Sequence, residues 1–196
     1  MKRNRLEAFS DGVIAILITI MVLEFKVPNG TDLFDILPLL PIFLSYILSF
    51  IYIGIYWNNH HHLIHTVQKV SGSILWANMH LLFWLSLLPF ATAFLGQNYL
   101  AKIPIIIYDF VLLMAGLAYF ILTKAILKTS GKDSLLSKAI GKDYKGKLSV
   151  IICFSAIPLA FVSNLISLSM TIVLAVIWLI PDKRIEKILE EIDEQP

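Results

Sequence analysis

Long apolar runs, separated by short polar segments, constrain this chain more than any other feature of its sequence. Of the 196 residues, 58% are hydrophobic and only 15% are charged. Soluble domains carry about 25% charged residues, because polar side chains must cover most of their surface. The pattern therefore predicts a protein embedded in a membrane, and it excludes a soluble enzyme.

Six apolar stretches are long enough to cross a hydrocarbon layer as helices. A helix satisfies its backbone hydrogen bonds within itself, as lipid requires. The last two stretches share one apolar run, in which Pro158 and the pair Ser163 and Asn164 predict a tight turn. A five-span arrangement stays open as the alternative. The predicted spans are Phe9–Val27, Pro38–Trp57, Ile74–Leu95, Ile103–Ile126, Leu148–Ala160 and Ile166–Ile180.

Basic residues predict that both termini lie in the cytoplasm. With the N-terminus inside, 14 of the 16 Lys and Arg residues fall on the cytoplasmic side, and the other two are Lys26 and Lys102. Cytoplasmic loops of membrane proteins carry such an excess. The asymmetry favours six spans, since five would export the basic residues of the tail. We expect a single transmembrane domain over 1–196, ending in a short amphipathic cytoplasmic tail over 183–196.

Charge and cysteine content exclude several other classes of function. The net charge of +2 does not indicate a nucleic-acid-binding protein. The single cysteine, Cys153, leaves no disulfide and no thiolate metal cluster. No sequence pattern indicates a cofactor.

Four of the five histidines, His60, His61, His62 and His65, follow the second apolar run at its cytoplasmic end. His61 and His65 share a helix face, a spacing able to hold zinc, but no Cys, Asp or Glu nearby completes a tetrahedral ligand set. The sequence therefore predicts no metal site. Two interpretations stay open: solvated histidines at the interface, or histidines that hydrogen-bond a buried carboxylate on another helix.

The first apolar run begins with a hydroxyl and a carboxylate, Ser10 and Asp11, near the lipid boundary. A carboxylate at that depth indicates function. The residues can instead form an ordinary helix start, with Ser10 as the cap and Asp11 favoured by the helix dipole. The other interpretations are a buried polar cluster that includes Arg5, and direct ion coordination by Asp11.

One narrow stripe of this helix carries Gly12, Ile16, Thr19 and Leu23 within about 60°, at about 100° per residue. In most membrane helices such a stripe packs on a neighbouring helix. If copies of the helix surrounded an axis, Ile16 and Leu23 would form apolar rings about 10 Å apart, with Thr19 hydroxyls between them. The T-V-G-Y-G filter of potassium channels is absent from the chain, so such a pore would select ions by another device.

The chain resembles the lysosomal potassium channel family, the transmembrane protein 175 family, in its prokaryotic single-repeat form. Arg5-x-x-x-Phe9-Ser10-Asp11 matches the R-x-x-x-F-S-D signature of the family's first helix. The following GVIAILIT, the segment YWNNHHHLIH at 56–65 and the segment LLPFATAFLG at 87–96 also look like the family. The likeness extends over most of the chain.

The resemblance implies a potassium-permeable cation channel of the cell membrane, assembled as a homotetramer of six-helix subunits that each contribute the first helix to a central pore. It places an apolar constriction at Ile16, with Thr19 and Leu23 as the next pore-facing positions. Potassium would be the permeant ion and the only ligand. The signature residues Arg5, Ser10 and Asp11 are implied to form a polar network behind the pore helix. Candidate partners of that network are His60, His61, His62 and His65.

Two other classes of function stay open. A carrier could move protons or cations by alternating access, with Asp11, Asp109 and a histidine as relay groups. Asp109 can equally be hydrogen-bonded to a neighbouring helix. Carriers usually have inverted repeats and helices broken at the midplane, and the sequence indicates neither. The third class is a membrane scaffold without transport.

Overall fold

The protein is described by a computed structural model over residues 2–130 and 144–179, and all secondary structure within these residues is helical. The all-α prediction is therefore confirmed for this part of the chain. The predicted tail over 183–196 lies outside the described residues. The helices are α1 (Arg3–Val22), α2 (Leu33–Ile36), α3 (Leu40–His65), α4 (Gly72–Ser86), α5 (Leu88–Gln97), α6 (Lys102–Ser130), α7 (Tyr144–Leu159) and α8 (Asn164–Leu179).

In the part of the chain that the structure describes, three helical stretches are long and apolar enough to cross a membrane, namely Leu33–His65, Gly72–Gln97 and Lys102–Thr129. Asn164–Leu179 is a shorter apolar helix. Each of the six predicted spans overlaps a helix or a consecutive helix pair of the structure. Length and composition therefore support a helical membrane protein.

Several helix ends differ from the predicted spans by a few residues, and two of these differences have a physical reason. The first helix ends at Val22 rather than Val27, and the residue before Pro28 is disfavoured in helical conformation. The second span continues about two turns beyond Trp57, to His65. The histidines therefore lie on α3 itself, because nothing in that segment breaks a helix.

Proline and asparagine define the breaks between the later helices. Pro89 stands in the first turn of α5 and separates it from α4, since proline cannot continue a helix interior without clashing with the preceding turn. The predicted turn between the last two spans is confirmed: α7 ends just after Pro158 and α8 begins at Asn164. The Asn164 side chain also donates to the Leu100 carbonyl at 2.6 Å, holding a leucine whose φ of 58° lies in the left-handed region.

The bundle places α1 on one side and α7 with α8 on the other. Helix α1 packs against α3, α4 and α5, whereas α6 packs against α4, α5, α7 and α8. The buried core between them contains Ile53, Ile64, Leu81, Leu85 and Leu122. Among the helices described here, none packs on the remaining side of α1.

Candidate pore helix and its polar network

Helix α1 has one buried face and one exposed face, and the side chains on both faces are mainly apolar. Its buried residues recur every three or four positions and so occupy one face. They are Leu6, Ser10, Ile14, Leu17 and Met21. This face packs on α3, α4 and α5, and it contains only one polar side chain.

The opposite face of α1 carries all three predicted pore positions. Ile16 is 56% exposed and Leu23 is 79% exposed, and Thr19 between them is also exposed. None of the other residues that the structure describes covers the apolar side chains on this face. In a membrane, either lipid chains or further copies of the helix must cover them.

The Thr19 hydroxyl donates a hydrogen bond to the Ile16 carbonyl at 2.9 Å. The bond uses the hydroxyl proton, so the lone pairs of Oγ1 are the part of the group that remains for other contacts. An exposed hydroxyl in this state can act as an electronegative ligand for a cation.

Behind this face, Ser10 belongs to a chain of hydrogen bonds across three helices. The Ser10 hydroxyl donates to the Leu6 carbonyl at 2.9 Å and accepts from the Asn78 amide of α4 at 2.9 Å. Asn78 Oδ1 lies 2.7 Å from His60 Nε2 on α3. Since Oδ1 only accepts, Nε2 of His60 carries the proton. Ser10, Asn78 and His60 are all fully buried.

Asp11 contacts α3 separately from Ser10. Trp57 Nε1 donates to Asp11 Oδ1 at 3.0 Å, and Asp11 is half-buried. The carboxylate therefore points away from the stripe that contains Ile16. Arg5 and Phe9, the other two signature residues, are exposed. The structure thus brings Ser10 and Asp11 against neighbouring helices, while Arg5 stays on the uncovered side of α1.

The histidine segment contacts the start of α1 at two further points. His61 Nδ1 lies 3.1 Å from Glu7 Oε1, and Arg3 donates to the His65 carbonyl at 2.9 Å. His62 is half-buried. His61 therefore contacts a carboxylate on another helix, but that of the half-buried Glu7 rather than a buried one, whereas the buried His60 contacts an amide. Within residues 2–130 and 144–179, no group of three or more His, Cys, Asp or Glu side chains could hold a metal ion.

A second set of buried polar side chains lies among α3, α5 and α6. The Thr92 hydroxyl of α5 lies 2.6 Å from Ser49 Oγ on α3, which lies 2.9 Å from the Tyr108 hydroxyl on α6. Thr92 Oγ1 also lies 3.7 Å from Met21 Sδ on the buried face of α1. These contacts connect α1 with three of the helices behind it.

Asp109, the residue best suited to a carrier relay, is buried against α8. Ser167 and Thr171 donate to its two carboxylate oxygens at 2.7 and 2.6 Å. Both donors belong to α8, a helix on the far side of the subunit from α1. The expectation that a neighbouring helix hydrogen-bonds Asp109 is therefore confirmed.

Sequence reasoning missed Asn78, Ser49 and Thr92, which connect the helices behind α1. The signal was available, because each is an isolated polar residue within an apolar run, and such residues usually face the bundle interior. Their partners could not be found in this way, since pairing depends on how the helices pack.

Residues 2–130 and 144–179 form a helical bundle with apolar helices that suit a membrane, and its first helix leaves an apolar stripe uncovered, as the subunit of an ion channel would. Comparisons with known proteins agree with this class. The family model described as endosomal/lysosomal potassium channel TMEM175 matches residues 5–89. A potassium channel of Chryseobacterium sp. is 53% identical over 97% of this chain and 100% of that protein. A potassium channel of Chamaesiphon minutus is 31% identical over 88% of this chain and 91% of that protein.

A solved structure is also similar to this chain. The crystal structure of a lysosomal potassium-selective channel TMEM175 homolog from Chamaesiphon minutus superimposes with a TM-score of 0.77 at 30% identity. The match covers 90% of this chain and 95% of that one. The chain therefore belongs to the TMEM175 potassium channel family.

Proposed function

We propose that four copies of the chain assemble around an axis in the cell membrane and conduct potassium passively through a pore lined by α1. Each subunit would cross the membrane six times, with both termini in the cytoplasm. One observation supports this arrangement most strongly: Ile16, Thr19 and Leu23 lie together on the face of α1 that the subunit leaves uncovered. Four such faces meeting at an axis would cover one another and enclose a path.

The spacing along α1 defines the proposed constriction. At a rise of about 1.5 Å per residue, the Thr19 ring would lie about 4.5 Å beyond the Ile16 ring, and the Leu23 ring about 10 Å beyond it. A hydrated cation would lose part of its water shell at Ile16. The Thr19 oxygens, whose protons are held by the Ile16 carbonyls, would replace some of that water.

Cation preference must come from groups other than Ile16, because an apolar ring repels ions of either sign. Thr19 oxygens supply a weak negative potential. Glu24, just beyond Leu23, adds a carboxylate that accepts from Gln97 at 3.3 Å. Modest selectivity among cations is expected from such a set of ligands.

The buried networks would set the rotation of α1 about its own axis. Ser10 is tied to Asn78, and Asp11 to Trp57. A rotation of one residue position, about 100°, would break both contacts and turn Ile16 away from the axis. The signature serine and aspartate would therefore act by positioning the pore face.

The test is current through purified protein in a planar bilayer under opposed potassium and sodium gradients. Ile16→Asn should wet the constriction and raise the current. Val22→Asn is the matched control, because Val22 is 47% exposed but lies about 120° around the helix from Ile16. Equal effects of the two substitutions, or no effect of Ile16→Asn, would contradict the proposed constriction.

The same recording separates the channel from a carrier. Discrete single-channel steps require an open path, which a carrier does not provide. A scaffold would give no current at all. Smooth, saturable flux without steps would favour the carrier and its intramembrane carboxylates.

A further inference from the structure

Gly12 leaves a position without a side chain on the exposed face of α1. It lies in the interior of the helix, and it is exposed. A Cβ added there would meet no heavy atom of the described residues within 4 Å, apart from its chain neighbours and the backbone of its own helix. Packing among the described residues therefore does not require a glycine at this position.

A glycine destabilises the middle of a helix, because it loses more backbone freedom on folding than alanine does. Gly96 has a packing reason, since its added Cβ would lie 2.5 Å from Ser45 Oγ on α3. No described residue approaches Gly12 so closely. The space beside Gly12 is therefore available to something outside the subunit.

The exposed neighbours of Gly12 on α1 define the extent of this space. Ile16 lies about 40° around the helix from Gly12 and about 6 Å beyond it along the axis. Phe9, the preceding apolar residue on this side, is 50% exposed and lies about 4.5 Å before Gly12. Two apolar side chains, about 10 Å apart along the helix, thus enclose a gap at Gly12.

Charged side chains of α1 do not supply a ligand in this gap. Glu7 and Asp11, the carboxylates nearest in sequence, both contact α3 and lie about 140° and 100° around the helix from Gly12. Arg5 is exposed on the same side as Gly12, about 10 Å nearer the start of the helix, and its charge repels cations. A cation in the gap must therefore keep its water.

We propose that four Gly12 gaps form a water-filled vestibule on the cytoplasmic side of the Ile16 ring, in which a potassium ion keeps its hydration shell until it enters the constriction. The inference rests on the proposed function and adds to it the place where the ion is still hydrated. Gly12 acts through the room that it leaves. An apolar side chain at this position displaces water and lengthens the apolar constriction by about one turn, since narrow apolar segments of a pore lose their water.

The first experiment measures the unitary conductance of the full chain in planar bilayers for Gly12→Ala, Gly12→Val and Gly12→Leu. Conductance should fall with side-chain size, about twofold for alanine and about tenfold for leucine. Gly54→Leu is the matched control, because an added Cβ at Gly54 also meets nothing within 4 Å but the residue lies on α3. It should keep the wild-type conductance. Wild-type conductance of Gly12→Leu, or an equal loss in Gly54→Leu, would overturn the proposal.

Close packing between neighbouring copies of α1 is the other use of a glycine on a membrane helix. It predicts that Gly12→Ala lowers the yield of tetramer in size-exclusion chromatography. The vestibule predicts an unchanged yield together with a lower conductance. A loss of tetramer in Gly12→Ala would therefore overturn the vestibule.

A second measurement needs no bulky substitution. Cys153 is the only cysteine of the chain, so Gly12→Cys in a Cys153→Ser background carries one thiol. In excised patches, a positively charged methanethiosulfonate reagent should reduce current from the cytoplasmic side at least about tenfold faster than from the opposite side, because the Ile16 ring separates the two. Equal rates from both sides, or no reaction from either, would overturn the proposal. If wild-type protein gives no current the proposed function fails, whereas wild-type current with unaffected Gly12 variants overturns the vestibule alone.

Discussion

Asn78 joins three helices through two hydrogen bonds, and its replacement by leucine isolates their contribution. The substitution keeps the number and branching of the side-chain heavy atoms but removes the donor to Ser10 at 2.9 Å and the acceptor for His60 at 2.7 Å. Ser10 keeps its bond to the Leu6 carbonyl. The His60 ring would lose its one hydrogen bond, since His60 Nδ1 is already buried without a partner.

The expected decrease in the free energy of unfolding follows from these lost hydrogen bonds. Interhelical hydrogen bonds in membrane proteins contribute about 0.6 kcal/mol on average and up to about 1.7 kcal/mol. Leaving a buried ring nitrogen unpaired adds about 1 kcal/mol or more. We therefore expect Asn78→Leu to lower the free energy of unfolding by about 1 to 3 kcal/mol.

The assay is reversible unfolding of the detergent-solubilised protein by sodium dodecyl sulfate, followed by circular dichroism. Asn98→Leu is the control, because Asn98 is exposed just after α5 and its side-chain amide donates to the nearby Phe94 carbonyl. It should change stability by less than about 0.5 kcal/mol. In a double-mutant cycle, Ser10→Ala and Asn78→Leu should couple by about 0.6 to 1.7 kcal/mol. Additive effects, or a wild-type stability of Asn78→Leu, would refute a stabilising network.

Three further predictions address other parts of the molecule. Gly96→Ala should destabilise by about 1 to 3 kcal/mol in the same assay, because its Cβ would lie 2.5 Å from Ser45 Oγ and 2.8 Å from a backbone atom of α3. Gly54→Ala, with open space at Cβ, should be neutral or slightly stabilising. Asp109→Asn should reduce stability yet leave the reversal potential unchanged in bilayer recordings, whereas abolished flux would favour a carrier. Thr19→Val should lower unitary conductance about fivefold, the effect of about 1 kcal/mol on a barrier, and unchanged conductance would remove Thr19 from the path.

Hydrophobic patterning was sufficient to predict the helical class and the approximate position of each helix. Apolar runs must become helices in lipid, because no other single segment satisfies its backbone there. Helix ends were less predictable. Helix α3 continues past the predicted end at Trp57 to His65, because a membrane span does not have to end where its helix ends.

The site was predictable in part, because a helix face follows from periodicity alone. Ile16, Thr19 and Leu23 were placed on one face by their spacing, and the structure leaves that face uncovered. The partners of Ser10 and Asp11 could not be predicted, since Asn78 and Trp57 lie on other helices. Such pairs are determined by packing between helices, which a single sequence does not encode in any local pattern.

Cysteine accessibility tests the central claim, that the uncovered face of α1 lines the ion path. In a Cys153→Ser background, Ile16→Cys and Leu23→Cys channels are exposed to a positively charged methanethiosulfonate reagent during bilayer recording, with Val22→Cys as the control. We predict that the reagent blocks current through the Ile16→Cys and Leu23→Cys channels and leaves the Val22→Cys channel unaffected. Block of the Val22→Cys channel alone, with the other two unaffected, would contradict the account.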